Sequence, residues 1–418
     1  MSDQDYDLVV VGAGPGGSVT ARFAAQSGLK VAFLEKRRRP GLKLCAGGIP
    51  GRIKKEFGVP EEAVESNVKN YFLFTRKTGW HPVRSPGAST TYRTTNDIDE
   101  FKKLDYQLAM LAVESGARLL NSTECSNIIR DQDGCKVEVR TPIGTQILRS
   151  KLVVGADGFH STVSKAAGLF HPYTQDRMAV AAQHEILMDR RNEDENCYHI
   201  FDESIAGVGY LWFYPKSHGW TVGLGCLASH IVEPVSFVLE RILRTNRMYK
   251  KLIPAGSKVL RLEGATIPMA PLKRIHTDNI MLVGDAAGHC DPMTGDGIYH
   301  AMAAGRLAAR VAANAVSTGN YSAESLSEYQ RIWSQTGGRE LAWSRERLEN
   351  VSKNFLKFNQ TRIRLLNNRF SARLVHRTNG VLPTYRKYVP RPIWRELVAD
   401  GVITDPAILP KHEEPVPA

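Results

Sequence analysis

Three glycine-rich stretches carry residues whose types and spacing can do chemistry. The first, VVVGAGPGGSV, places Gly12, Gly14, Pro15, Gly16 and Gly17 between an apolar, β-branched run and an alanine-rich segment. Bare backbone at a strand-to-helix turn lets amide groups approach a pyrophosphate, whose charge the helix N-terminus favours. Glu35 ends the next apolar run, where a carboxylate accepts both hydroxyls of an adenosine ribose and favours a dinucleotide without a 2'-phosphate. The second stretch, VVGADGF, puts Asp157 and Gly158 on a turn after another strand, and an acid there orders the loop around the nucleotide. The third is LVGDAAGHCDPMTGDGI. Asp285, after Gly284, can accept hydrogen bonds from the polyol that joins a pyrophosphate to an isoalloxazine, a chain that nicotinamide dinucleotides lack. Pro292, Gly295, Gly297 and Ile298 lead into a long helix, whose N–H groups can stabilise negative charge at N1 and O2 of a reduced flavin. Pieces drawn from both ends of the chain indicate one FAD site.

Two further stretches stand beside it. In KRRRPGLKLCAGGIPG, Lys36 and Arg37 leave the second strand near the adenosine or pyrophosphate. Cys45 precedes Ala46, Gly47 and Gly48, where backbone can lie along a planar ring. Cys45 is then either a small packed hydrophobe or a thiol beside a redox cofactor. In GYLWFYPKSHGWTVGLG, alternation along a strand sends Tyr210, Trp212 and Tyr214 to one face and Leu211 and Phe213 to the other, with a turn over 216–219. The first face is expected to form a wall opposite the isoalloxazine, the second to pack in a core.

The elements that must position these residues follow from periodicity. Residues 8–34 read as strand, turn, helix and strand. NYFLFTRKTGWHPV reads as two short strands with Gly79 at the turn. Helical spacing over 99–120 puts Phe101, Leu104, Leu108, Leu111 and Ala112 on one face, with Gly116 as a stop. Strands are expected at 126–129, 136–140, 145–148, 152–154 and 280–283. The runs at 198–201, 208–214 and 220–224 suit an antiparallel sheet with one covered face. After 323 the chain reads as charged and helical, then irregular from 378 with a proline-rich end. The expected fold is α/β, a Rossmann-type FAD-binding domain (1–60, 96–170 and 275–320) with an antiparallel-sheet substrate domain (61–95 and 171–274). A helical and basic C-terminal region (321–418) completes it.

Composition bounds the rest. A 418-residue chain that is 42% hydrophobic is long enough for more than one core. No secretion signal and no run of eighteen apolar residues is visible, and the six cysteines show no metal-ligand spacing. A reducing cytoplasm and no metal are expected. The net charge of +12 is uneven, with nine Arg or Lys residues and no acid over 361–395. That segment is either a solvated face or a contact for anionic lipid headgroups or an acidic electron donor. No nucleic-acid motif accompanies it.

Taken together, the motifs at 12–17 with Glu35, KLCAGGIPG at 43–51, VGADGFHSTV at 154–163, YLWFYP with TVGLG over 210–225, and VGDAAGHCDPMTGDGI at 283–298 resemble the FAD-dependent group with the p-hydroxybenzoate hydroxylase fold. Within it they are similar to the geranylgeranyl reductase family. The resemblance covers about residues 5–320. The flavin motifs are shared with hydroxylases and halogenases; the pair KLCAGGIP and YLWFYP is more specific. Tyr210, Trp212 and Pro215 match the family's Tyr-x-Trp-x-Phe-Pro pattern, with Tyr214 where phenylalanine is usual, and the CAGGIP loop resembles the chlorophyll-type branch more than the archaeal lipid-type branch.

The resemblance implies reduction of isolated C=C bonds of a geranylgeranyl chain on a lipid or chlorophyll-type head. Hydride would come from reduced FAD, replenished by NADPH or reduced ferredoxin, with peripheral contact to the cytoplasmic face of a membrane. The alternative is an FAD-dependent monooxygenase or halogenase acting on an aromatic or apolar substrate. Saturating an unactivated alkene calls for a proton as well as a hydride. Cys45, Tyr210, Tyr214 and His289 are candidate donors, with Trp212 placing the chain; Cys290 adjoins the flavin motif and can equally be a packed thiol.

Overall fold

The structure, a computed structural model, describes residues 5–41, 43–75, 79–84, 87–93, 100–188, 193–202, 206–245 and 252–353. The basic segment at 361–395 and the proline-rich end lie outside the described residues.

The first half contains β1 (Asp5–Val11), α1 (Pro15–Gln26), β2 (Val31–Leu34), β3 (Gly48–Ile49), α2 (Gly51–Phe57) and β4 (Val64–Asn67), then β5 (Asn70–Thr75), β6 (Gly79–Arg84) and β7 (Ser89–Thr91). It continues through α3 (Leu104–Glu114), β8 (Arg118–Leu120), β9 (Glu124–Asp131), β10 (Gly134–Thr141), β11 (Gly144–Gly155) and α4 (Thr162–Ala166). The second half has β12 (Met178–Leu187), β13 (Asn196–Phe201), β14 (Gly209–Lys216), β15 (Gly219–Leu227), α5 (Val235–Thr245), β16 (Lys258–Pro268), β17 (His276–Thr277) and β18 (Ile280–Leu282). Three helices follow: α6 (Ile298–Thr318), α7 (Ala323–Gln335) and α8 (Gly337–Lys353).

The first sheet runs β17-β18-β11-β1-β2-β8, with β10 and β9 added beside β11. β1 pairs in parallel with both β2 and β11, and β18 in parallel with β11. Where they lie side by side, residues 8–11, 31–34, 152–154 and 280–282 are wholly apolar because helices or loops cover both faces. Leu8, Val9, Val10, Phe33, Leu152, Val153 and Met281 are fully buried, together with Ala308 and Ala312 of α6. Small residues set the packing of α1 on α6: a Cβ at Gly305 would stand 2.4 Å from the Gly16 carbonyl oxygen. The second sheet, β16-β12-β15-β14-β13-β5-β6, is antiparallel except for the parallel pair β13 and β5. Its covered face packs Leu211, Phe213, Trp220 and Val222 against Val238, Leu239 and Ile242 of α5. A third, three-stranded sheet orders β3-β7-β4.

Several local expectations differ from what folds. The runs at 145–148 and 152–154 belong to one twelve-residue strand, β11, whose first part makes a hairpin with β10 and whose second part enters the parallel sheet beside β1. The polar Arg149, Ser150 and Lys151 between them mark the change of neighbour, not a break. Helix α3 starts only at Leu104, and Phe101 sits in a preceding 3-10 turn, 51% exposed beneath the Arg39 guanidinium. Gly79 is the first residue of β6. The six cysteines are all free.

Candidate flavin and substrate site

A cavity of about 1080 Å³ lies between the parallel sheet and the second sheet, just above the roughly 300–1,000 Å³ usual for ligand pockets. Its dinucleotide end is built by the β1–α1 turn. Gly12 adopts φ +105°, and a Cβ at Gly17 would stand 1.8 Å from the Gly12 carbonyl oxygen. Glycine is therefore required at both positions for α1 to begin so close to the strand. The N-cap of α1 is Gly14, with no capping side chain and no acid in the first turn. The same holds for α6, whose N-cap is Gly297. Both helix N-termini at this cavity thus keep their amides available to an anionic or electron-rich ligand.

Gly12, Gly14, Pro15, Gly16, Glu35, Lys36, Cys45, Ala46, Gly47, Asp157, Gly158, Gly284, Asp285, Gly295, Gly297 and Ile298 all line this cavity, as do Tyr210, Trp212 and Tyr214. Two nominated residues do not. Gly17 packs against the turn behind the wall, and Pro292 is buried in the loop before α6.

The acids play distinct parts. Glu35 accepts a hydrogen bond from the Arg37 amide at 2.9 Å, and burial holds its carboxyl above the usual carboxylate range. Asp157 accepts from the Ser161 hydroxyl at 2.6 Å and the Thr162 and Val163 amides at 2.6 and 3.1 Å, fixing the loop to the start of α4. Asp285 is engaged by the Lys43 ammonium. Burial works against the charge on Lys43, but the Asp285 carboxylate outweighs it and raises the ammonium above its ordinary range.

At the other end stands the aromatic wall. Alternation along β14 seats Tyr210, Trp212 and Tyr214 on the cavity side. What lets the large rings lie flat is opposite them. Trp212 pairs across the ladder with Gly223, where a Cβ would stand 2.0 Å from indole Cζ2; a Cβ at Gly225 would meet the same ring at 3.3 Å. Tyr214 occupies the space a Cβ on Gly48 would need, at 2.5 Å. The CAGG loop and the aromatic strand, distant in sequence, are therefore one packed unit. The Tyr214 hydroxyl lies 3.0 Å from His199 Nε2. Tyr210 donates to the Thr294 carbonyl at 2.5 Å, stapling the wall to the loop before α6.

Cys45 is half-buried at the junction, its Sγ accepting from the Gly47 amide at 3.3 Å, with the Arg93 guanidinium nearby. Arg93 is held by Asp105 at 2.8 and 3.3 Å, and both are nearly inaccessible. Gln183 of β12 donates to the Cys45 carbonyl at 3.3 Å. These partners carry no short-range motif, and Arg93 and Asp105 meet only when β7 and α3 converge. The expectation for His289 fails: it is fully buried and does not line the cavity, its ring tilted against Trp333 with centroids 4.3 Å apart, and burial holds its imidazole well below the ordinary range, so it stays neutral. Cys290 does line the cavity, but burial raises its thiol well up and Sγ contacts the Gly295 carbonyl at 3.0 Å, as a packed thiol would.

Parallel-sheet turn, uncapped helix starts and aromatic wall together define a flavin-dependent oxidoreductase. The model of the FAD binding domain family matches residues 5–340, and the chain uses FAD. The digeranylgeranylglycerophospholipid reductase of Methanothrix thermoacetophila is 35% identical over 340 residues, spanning 80% of this chain and 85% of that protein. That of Methanococcus vannielii is 31% identical, spanning 80% and 83%. The chain belongs to the FAD-binding geranylgeranyl reductase family. These relatives are lipid-type by name, against the chlorophyll-type leaning of the CAGGIP loop. A geranylgeranyl bacteriochlorophyll reductase-like protein from Thermoplasma acidophilum shares the fold at TM-score 0.77 and 24% identity over 95% of this chain and 99% of that one. A flavin-dependent brominase shares it at 0.74 and 17% over 95% and 98%.

Proposed function

We propose that this protein is an FAD-dependent oxidoreductase that saturates isolated C=C bonds of geranylgeranyl chains carried on a glycerophospholipid. The observation that carries the reading is the shared cavity, in which the dinucleotide turn and the Tyr210, Trp212 and Tyr214 wall face one space. The bound flavin supplies hydride. The chain's own residues then have to place an apolar alkene without water, and the aromatic faces do so. At about 0.8 kcal/mol per buried CH₂, a few isoprene units supply more binding than catalysis needs, so positioning governs the rate. Tyr214 adds a hydroxyl to this wall, and its contact with His199 holds the ring in place. Cys45, held by Gly47 and Gln183, borders the same space.

Gly12, Gly14, Gly16 and the start of α1 would hold the pyrophosphate, Glu35 the adenosine ribose, and Asp285 with the start of α6 the flavin end. The reductant is NADPH or a reduced ferredoxin, and the substrate is taken from a membrane surface that the enzyme touches peripherally. Among the described residues no helix is long and apolar enough to cross a membrane.

The deciding experiment is anaerobic incubation of dithionite-reduced protein with a geranylgeranylated phospholipid and, separately, a geranylgeranylated pigment, followed by mass spectrometry. Gain of two hydrogens per reduced bond supports the reading, and the preferred headgroup assigns the substrate. No such product from either, with oxygen-dependent hydroxylation or halogenation instead, overturns it. Comparing NADPH with reduced ferredoxin as the source of flavin electrons identifies the donor.

A further inference from the structure

Alkene reduction needs a proton at the carbon that does not receive the hydride, and most of the polar groups around the cavity are already committed. The Tyr210 hydroxyl is spent on the Thr294 carbonyl. Burial, then the Asp296 carboxylate, pushes its phenol well up, making it a poor acid. The Tyr214 phenol is likewise raised by burial and shares its hydroxyl with His199. The Sγ atom of Cys45 already accepts from the Gly47 amide. Asp157 and Asp285 are occupied as described.

One group differs. Asp296 sits in the loop before α6, half-buried at the cavity wall between Gly295 and Gly297. Its backbone is fixed at both ends, the amide donating to Thr294 Oγ1 at 3.2 Å and the carbonyl accepting from the Asp291 amide at 2.8 Å. Its carboxyl group, by contrast, has no hydrogen bond or ion pair among the described residues. The other carboxylate of this loop, Asp291, is satisfied by the Ser344 hydroxyl at 2.6 Å and the Met293 and Thr294 amides at 2.7 and 3.2 Å. The loop thus holds one acid that is structural and one that is unspent and turned to the cavity. Through the bond from Tyr210 to Thr294, the unspent acid is tied in position to the aromatic wall.

Resting on the reductase reading above, we propose that Asp296 is the catalytic proton donor of this enzyme. As hydride arrives from the reduced flavin at one alkene carbon, the Asp296 O–H bond breaks and its proton bonds to the other carbon, the π electrons forming that C–H bond. The alkene is reduced and the flavin oxidised by two electrons. Asp296 is left as a carboxylate and regains a proton from solvent, while a nicotinamide or ferredoxin-type donor returns the electrons.

The groups that face Asp296 support this. Asp291 and Cys290 lie in its own loop, Tyr210 and Tyr214 face it from β14, Tyr71 from β5 and His300 from α6. Burial and the Asp291 carboxylate raise the carboxyl, His300 lowers it, and the balance pushes it up to about 7. An acid poised there is protonated often enough to give its proton near neutrality and acidic enough to give it quickly.

The test uses the full-length, FAD-loaded protein. Asp296→Asn should keep its flavin and its fold but lose alkene reduction by about 10²- to 10⁴-fold. Wild-type turnover should fall as pH rises through about 7, where the acid form disappears, and the residual Asn activity should not follow that profile. A second readout needs no turnover: infrared difference titration of the oxidised protein should show a carboxylic C=O band that disappears near neutral pH and is absent from Asp296→Asn. If Asn loses flavin, Asp296→Glu, which keeps the acid, must reduce the alkene with a displaced pH profile. Wild-type rate and profile in Asp296→Asn, or a carboxyl fully ionised by pH 5, overturns the proposal. If the wild type reduces no prenyl chain, the substrate reading fails, while the infrared titration still decides whether Asp296 is an acid held protonated.

Discussion

The Trp212 wall depends on an absence, the missing side chain at Gly223. These residues are paired across β14 and β15, and a Cβ at Gly223 would stand 2.0 Å from Cζ2, 2.3 Å from Cε2 and 2.8 Å from Cη2 of the indole. Carbon atoms rest at about 3.5–4.0 Å, so Gly223→Ala forces the ring away by about 1.5 Å. Overpacking of this kind costs about 1–3 kcal/mol. Glycine is here in ordinary extended backbone, so alanine returns about 0.4–1 kcal/mol by restricting the unfolded chain. The expected net loss is about 1–2 kcal/mol, a fall of about 2–4 °C in thermal midpoint. Gly223 does not line the cavity, so FAD content should stay at the wild-type level. Alkene placement should suffer far more, since about 1 Å of misplacement can cost about 10²-fold in rate. Thermal melting, flavin absorbance and anaerobic single-turnover reduction measure the three quantities. Combining Gly223→Ala with Trp212→Phe, whose smaller ring leaves room for the methyl, should recover stability with a coupling of about 0.5–3 kcal/mol. A Gly223→Ala variant with wild-type midpoint and rate, or strict additivity in the double variant, refutes the reasoning.

Arg93→Met leaves Asp105 in the core without its guanidinium and should cost about 3–5 kcal/mol in urea unfolding, most of it recovered by pairing it with Asp105→Leu. Asp285→Ala removes both the proposed flavin-end acceptor and the partner of Lys43; FAD Kd by fluorescence quenching should rise at least about tenfold, a loss of about 1.4 kcal/mol. Cys45→Ala should retain FAD and slow alkene reduction without moving its pH profile, and unchanged turnover would remove the thiol from the mechanism. In flavin-free protein the Asp296 carboxyl, raised in the folded state to about 7, favours folding fully below its unfolded value and loses that contribution as pH rises through about 7. The midpoint of Asp296→Asn relative to wild type should therefore climb from pH 4 to 7 and level off above; a difference independent of pH would contradict the shift.

The amino-acid sequence determined the elements that are built locally. Strand, glycine turn, helix and acid over residues 8–35 follow from hydrophobic period and backbone freedom, and the alternation Tyr210, Leu211, Trp212, Phe213, Tyr214 assigns each ring to a face before any neighbour is known. Pattern alone does not join the two runs of β11, because a strand that changes partners carries polar residues in its middle that look like a break. Tertiary structure decided what those faces meet. The vacant side-chain positions at Gly223 and Gly48 seat Trp212 and Tyr214, and the Arg93–Asp105 pair stands at the same cavity as Cys45. The retreat of His289 behind Trp333 and the unspent carboxyl of Asp296 at the cavity wall were settled there too. Each depends on contact between residues about ten to well over a hundred positions apart, where volume and charge are complementary only after the elements have packed. Periodicity reports which way a side chain points, whereas its protonation and its use depend on the groups that the fold brings against it.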